Sequence, residues 1–484
     1  MNKSDSCNVD HTRRSFMLKA GAGLGALSLL DLLGGRAWAQ PGGTEPMNVG
    51  VLGTGHVPAR AKRVICLHML GAISHVDTFD YKPTLERMHG QDLPQSIRET
   101  QRLSTMSNGQ SAFPILAPLR PFSQHGESGA WLSGFLPYTG AIADELCFVK
   151  SMHTEHVNHD PASKFLHTGF QLAGRPSAGA WVSYALGSDN RDLPNFVVMN
   201  SGISMGVPQD SAIWGPGFLP SHHQGVEFRA AEDPVLYVNN PGGTDRADRR
   251  ALLDSLAGLA RLQHEASSDP EILSRISQYE MAYRMQASVP EIADISDEPE
   301  SVLNMYGPDV HKPGTFARNC LIARRLCERD VKYITLFGMG WDHHLALKQA
   351  FPVMCQAVDR PSAALVMDLK QRGLLNDTLV MFGSEFGRTP FAQGDLNNPL
   401  VGRDHHGGCF TWWFAGGGVK AGYTHGETDE FSYNIVKDPV HIHDLNATLL
   451  HILGLDHERL TFRSQGRDYR LTDVHGKVVH EILA

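Results

Sequence analysis

Five short stretches set ionisable side chains side by side: Ser74-His75-Val76-Asp77-Thr78-Phe79-Asp80, His153-Thr154-Glu155-His156-Val157-Asn158-His159-Asp160, Trp341-Asp342-His343-His344, Ser384-Glu385-Phe386-Gly387-Arg388-Thr389, and Gly402-Arg403-Asp404-His405-His406. Imidazole and carboxylate are the donors that divalent cations take. Singly, each stretch has an ordinary explanation. A lone His or Asp caps a helix or forms a turn, and Gly387, Gly407 and Gly408 suit turns. Gathered at one place the groups mean more, because desolvating charges costs several kcal/mol per ion unless something compensates. A divalent cation compensates, so a metal site is expected, with zinc as the first choice and manganese or calcium as alternatives.

The surrounding chain supplies elements able to gather them. Compact apolar runs at Arg63–Leu70, Leu146–Lys150, Asn195–Met199, Val331–Phe337, Thr378–Phe382 and Cys409–Phe414 read as buried strands. Helical patterns fall between them. One runs from Pro361 to Arg372, with the proline suited to a first turn, and another opens at His443 and stops at Gly454. Strands alternating with helices predict an α/β fold, three-layered around a mostly parallel central sheet. From Asp245 to about Glu300 the chain reads as helix-rich and strand-free. It is expected to be a helical insertion, with Leu252, Leu256 and Leu259 on one stripe and Ile272, Ile276, Tyr279 and Tyr283 on another. Residues 202–228 read as a long loop. In open α/β sheets ligands sit beyond the carboxyl ends of the strands. Four of the five polar stretches follow a predicted strand, and the fifth precedes the last one.

The N-terminus reads as an export signal over residues 1–39. Arg13-Arg14 is followed by apolar residues, then a glycine- and alanine-rich run to Leu33, then Ala37-Trp38-Ala39 before Gln40. The run is too short and glycine-rich for a stable membrane span. This predicts the twin-arginine translocation machinery as a partner and a periplasmic or secreted location. That route carries folded proteins, often already loaded with a cofactor. The remaining chain, 40–484, is expected to form one large domain. A net charge of −9 argues against nucleic-acid binding, which needs a basic surface. No C-x-x-C spacing occurs, so a zinc–thiolate site is not expected, and disulfide pairing cannot be read from the sequence.

The order of His75-Val76-Asp77-Thr78-Phe79-Asp80-Tyr81-Lys82-Pro83, Trp341-Asp342-His343-His344, Gly383-Ser384-Glu385-Phe386-Gly387-Arg388-Thr389-Pro390, Gly402-Arg403-Asp404-His405 and Pro439-Val440-His441-Ile442-His443-Asp444-Leu445 resembles the bacterial domain-of-unknown-function family 1501 over nearly the whole of the remaining chain. That family is similar in layout to the alkaline phosphatase and sulfatase superfamily. The resemblance implies an alkaline phosphatase-like fold in which Asp342, His344 and His405 hold a divalent metal, joined by Asp77 and Glu385. It places His159 near the nucleophile position. It also exposes departures. No Cys-x-Pro-x-Arg occurs, which excludes ordinary sulfatase chemistry through a modified cysteine. Leu70-Gly71 stands where a first-strand Asp is expected, and Glu385-Phe386 stands where an Asp-His pair is expected.

Two functions follow from this. The first is a metal-dependent hydrolase of phosphate or sulfate esters. In it Glu385 or His159 acts as general base, or His159 as nucleophile, and Arg388 and Arg403 stabilise anionic charge. Either arginine could equally be a structural ion pair. The second is a non-catalytic metal- or glycan-binding protein using the same pocket.

Overall fold

The run Arg63–Leu70 is a strand, β1, buried along its whole length, as a strand covered on both faces must be. Its side chains alternate between two cores. Ile65, Leu67 and Met69 belong to one apolar cluster, and Val64, Cys66 and Leu70 to the other. His68 interrupts the second set. The computed structural model describes residues 50–484 except 53–54, 100, 102, 203–206, 208–209, 230–234, 236–239 and 241–243. The export signal read at 1–39 lies outside the described residues.

The other strands that matter to the site are β2 (Cys147–His153), β3 (Phe196–Ser201), β4 (Val226–Phe228), β5 (Tyr333–Met339), β6 (Thr378–Gly383), β7 (Gly387–Gln393), β8 (Gly402–His406), β9 (Phe410–Ala415), β10 (Tyr423–His425) and β11 (Val440–His441). The central sheet has nine strands, in the order β10-β2-β9-β6-β1-β5-β3-β4, with β11 also paired to β2. Every pairing in it is parallel except those of β9, which runs against β6 and β2. β7 and β8 form a separate antiparallel pair. The fold is therefore a mixed α/β architecture with a mostly parallel central sheet. The reversed β9 has a positional effect: its first residue, like the last residues of β1, β2, β5 and β6, lies at the carboxyl edge.

Helices cover both faces. Helices α1 (His159–Thr168), α2 (Ala178–Leu186) and α7 (Ile442–Ile452) contribute Phe165, Trp181 and Leu449 to the cluster that holds Val64. On the other face lie α4 (Pro270–Ala293), α5 (Phe316–Glu328) and α6 (Leu347–Gln371), which contribute Val289, Leu321 and Phe351. The insertion is a pair of helices, α3 (Arg246–Ser267) followed by α4. Its buried stripe on α3 differs from the expected one. Leu252, Leu256 and Leu259 are exposed, while Leu253 and Ala257 are buried. Only one side of α3 meets α4, and the helical period alone does not say which side.

Two further expectations are corrected. α6 begins well before Pro361 and contains both Pro352 and Pro361. An interior proline costs ~3 kcal/mol, but Leu347, Phe351, Cys355 and Val358 continue the buried face upstream and hold the helix together. The stretch 202–228 is not all loop, since it ends in the edge strand β4. The described cysteines are all buried and unpaired. Among the described residues no helix is long and apolar enough to cross a membrane.

Candidate metal centre

Four side chains from three separate stretches converge at the carboxyl edge of the sheet: His159, Asp342, His344 and His405. One donor atom of each lies within 4.8 Å of the others. His159 opens α1 after β2, Asp342 and His344 follow β5, and His405 lies on β8 just before the reversed β9. Two glycines permit the close approach. Gly71, at φ 109°, ends β1 so near Asp342 that a Cβ would sit 2.7 Å from the Asp342 nitrogen. At Gly402 a Cβ would lie 2.2 Å from the carbonyl of His344.

The distances around Asp342 Oδ1 are short. His344 Nε2 is 3.0 Å away, His159 Nε2 3.1 Å and His405 Nε2 3.3 Å. His344 Nε2 and His405 Nε2 are 2.8 Å apart. A tetrahedral ion with bonds of about 2.0–2.1 Å sets its donors about 3.3 Å apart, close to the spacing of the three imidazole nitrogens from Asp342 Oδ1.

The outer nitrogens decide what these inner atoms are. His159 Nδ1–H donates to the Glu385 carboxylate at 2.6 Å, and His405 Nδ1–H donates to the Val157 carbonyl at 2.6 Å. Both partners only accept. His344 Nδ1 lies 2.5 Å from the Gln393 amide oxygen. Each neutral ring therefore carries its proton on the outside and turns its Nε2 lone pair inward, toward a carboxylate and toward the other lone pairs. His159 Nε2 is buried and makes no hydrogen bond. A cation would resolve that conflict, and the residues fit one.

Charge effects agree. Burial opposes ionisation of Asp342, yet the three imidazoles and Arg388 hold its carboxyl far below the usual range. Burial pushes His405 down to about 4, which leaves a neutral donor. Burial also disfavours charge on His159, but the nearness of Asp342 and Glu385 outweighs it and raises its pKa.

The remaining predicted residues lie elsewhere or are otherwise engaged. Asp77 is fully buried in an ion pair with Arg403, at 2.8 Å, and also accepts from the Ser74 hydroxyl and the Leu119 N–H. It stands outside the four-donor group because the 3-10 turn His75–Asp77 packs it against the β7–β8 pair instead. Glu385 is fully buried behind His159, and both its oxygens are occupied. Oε1 accepts from His159 and Gly71 N–H, and Oε2 from His68. It faces the back of a ligand ring rather than the cradle. Arg388 binds Asp342 Oδ1 at 2.6 Å and the carbonyls of Gly71, Ala72 and Arg403, at 1% exposure. Arg403 is likewise enclosed by Asp77, Thr389 and Leu116. Neither fork is free for an anion.

Sequence reading did not single out His68 or His167, which continue the chain behind Glu385. The available signal was a histidine inside an otherwise apolar strand.

Among solved structures, the chain is similar to the lipoteichoic acid synthase LtaP from Listeria monocytogenes, at 10% identity and a TM-score of 0.35, covering 92% of this chain and 80% of that one. It is similar to the PsFucS1 sulfatase from Pseudoalteromonas sp. at 13% identity and a TM-score of 0.35, covering 82% and 69%. It is also similar to alkaline phosphatase from the Antarctic bacterium TAB5, at 11% identity and a TM-score of 0.32, covering 82% and 99%. No curated protein matches the sequence. The family described as "Protein of unknown function (DUF1501)" matches residues 61–483, and the chain belongs to that family.

Proposed function

We propose that this chain is an exported metal-dependent hydrolase with an alkaline phosphatase-like layout, acting on a phosphate or sulfate ester. His159, Asp342, His344 and His405 hold one divalent cation. The observation that carries the reading is the inward convergence of imidazole lone pairs on Asp342, fixed by acceptors behind His159 and His405. A divalent cation there supplies Lewis-acid chemistry, polarising an ester oxygen and acidifying water near neutral pH. The chain's own residues do the rest. Arg388 orients Asp342, Glu385 orients His159, and the Phe386 ring packs on His159 and His405 at 4.9 and 4.7 Å, keeping water from the inner side. Access comes from the Asp342–His344 side, where the side chains are 19% and 14% exposed. Zinc suits three imidazoles and a carboxylate.

A second reading, non-catalytic metal or glycan binding, has its own support. Catalytic zinc sites commonly keep three protein ligands and an open position, whereas four donors converge here, and Arg388 and Arg403 are fully engaged. The test is to measure metal content in protein recovered from the exported fraction, then turnover of aryl phosphate, phosphonate and sulfate esters with and without chelator. Chelator-sensitive turnover supports the hydrolase. Bound metal without turnover on any ester favours the binding protein. Recovery of the protein only inside the cell would overturn twin-arginine export.

A further inference from the structure

The ordering of protons does not stop at Glu385. On its far side, His68 Nε2–H donates to Oε2 at 3.0 Å. The other ring nitrogen of His68, Nδ1, lies 2.9 Å from Nε2 of His167 on α1. The three groups are buried, His68 and Glu385 at 0% exposure and His167 at 4%. Phe337 packs on both imidazoles, at 5.3 and 5.5 Å. An ionised carboxylate can only accept. His159 must therefore present its N–H at Nδ1, and His68 must present its own at Nε2. With that proton placed, a neutral His68 has only a lone pair at Nδ1, so His167 donates from Nε2. Full burial holds His167 well below the usual imidazole range, which keeps it a neutral link.

We propose that Glu385, His68 and His167 are positioning residues for the cation. They form a buried chain, running from the core to the cradle, that pins the His159 proton on Nδ1 and keeps its Nε2 lone pair turned toward Asp342. The proposal rests on the reading of the four donors as a metal centre. Its physical content is that β1 carries a histidine at an otherwise apolar position to supply one of three donors to Glu385. Removing that donor leaves a buried carboxylate under-satisfied and free to rotate, and the ligand ring with it. Partners of this kind raise ligand basicity and fix ring orientation.

Two measurements on the full chain test this. The first is the ¹⁵N spectrum of histidine-labelled protein, zinc-loaded and chelated. His68 and His167 are expected to carry a proton on Nε2 and none on Nδ1 in both states. The opposite tautomer, or an imidazolium at His68, overturns the chain. The second is zinc affinity by chelator competition. His68→Leu is expected to weaken zinc about 10–100-fold, while His68→Gln, whose amide can still donate to Glu385, recovers most of the loss. A folded His68→Leu protein with wild-type zinc affinity overturns the positioning role. Should His68→Leu fail to fold, the wild-type spectrum decides. Absence of zinc binding by the wild type instead defeats the metal centre itself, and is thereby distinguished from failure of the chain.

Discussion

Two histidine-rich regions share one edge of the sheet and are built to opposite ends. In the cradle, His159, His344 and His405 surround Asp342 with lone pairs facing inward. In the other region, His441 on β11 lies in register with His153 on β2, their rings 5.0 Å apart. There His441 Nε2–H donates to Glu155 at 3.0 Å, and His441 Nδ1 accepts the His443 N–H at 3.3 Å, capping α7. Both nitrogens of His441 are thus satisfied within the protein, and burial pushes neighbouring His443 down to about 4. The residue types are alike, but the second region has no inward-facing lone pairs left over on its central ring. The direction of lone pairs, rather than the number of imidazoles, separates a cation cradle from a helix cap.

The strongest way to break this contrast is to remove one group from each region. Asp342→Asn is expected to abolish stoichiometric metal, measured by plasma mass spectrometry on dialysed protein, while His441→Ala retains it. Loss of metal in His441→Ala alone would reverse the comparison. Next in size is Arg388→Met, which strips a buried charge from its partner. Breaking one side of such a pair costs about 3–5 kcal/mol, read by urea unfolding of metal-free protein. With zinc present the loss should shrink, because the cation then faces Asp342.

A smaller effect lies in the pH dependence. His159 has its folded pKa raised, so its contribution to the metal-free protein is fully present below the unfolded value near 6.5 and is lost as pH rises through the folded one. Zinc displaces that proton, so affinity should fall on acidification, and saturating zinc should remove this source of pH dependence from the denaturation midpoint. Zinc at 100 times its Kd adds about 2.7 kcal/mol to stability. The smallest effect belongs to the second region. Nearby His441 pulls Glu155 down to about 2, so its contribution holds above the unfolded value near 4.3 and is lost as pH falls through the folded one. The pair is solvent-facing, and Glu155→Gln should cost at most ~1 kcal/mol with no change in metal content.

The sheet was legible because its strands are unbroken apolar runs. Each of the six expected strands is present: β1 has the expected ends, and the others differ by at most three residues, as where the polar side chains Ser151 and His153 continue the ladder. β4 was hidden because a three-residue edge strand leaves almost no pattern. At the site, adjacency in sequence identified the edge but not the facing. In Asp342-His343-His344, His343 turns toward Trp341 and Phe351 while its neighbours reach the cradle. Asp77 resembled a ligand in sequence, but its partner is an arginine more than three hundred residues away. Glu385 was expected as a ligand or base and stands instead behind a ligand ring, and its link to His68 was not legible, since it depends on which lone pair faces which proton.

The four donors belong to segments spread from residue 159 to residue 405, and they meet only across β2, β5 and the β8–β9 connection. The loop-closure entropy of contacts so distant along the chain predicts that they form late, after the strands between them have paired. As a metal centre the cradle would then be a seal on completed folding, unable to select an ion until the sheet has closed. On the proposed export of an already folded chain, the ion would be chosen from the metals inside the cell rather than from those available outside it.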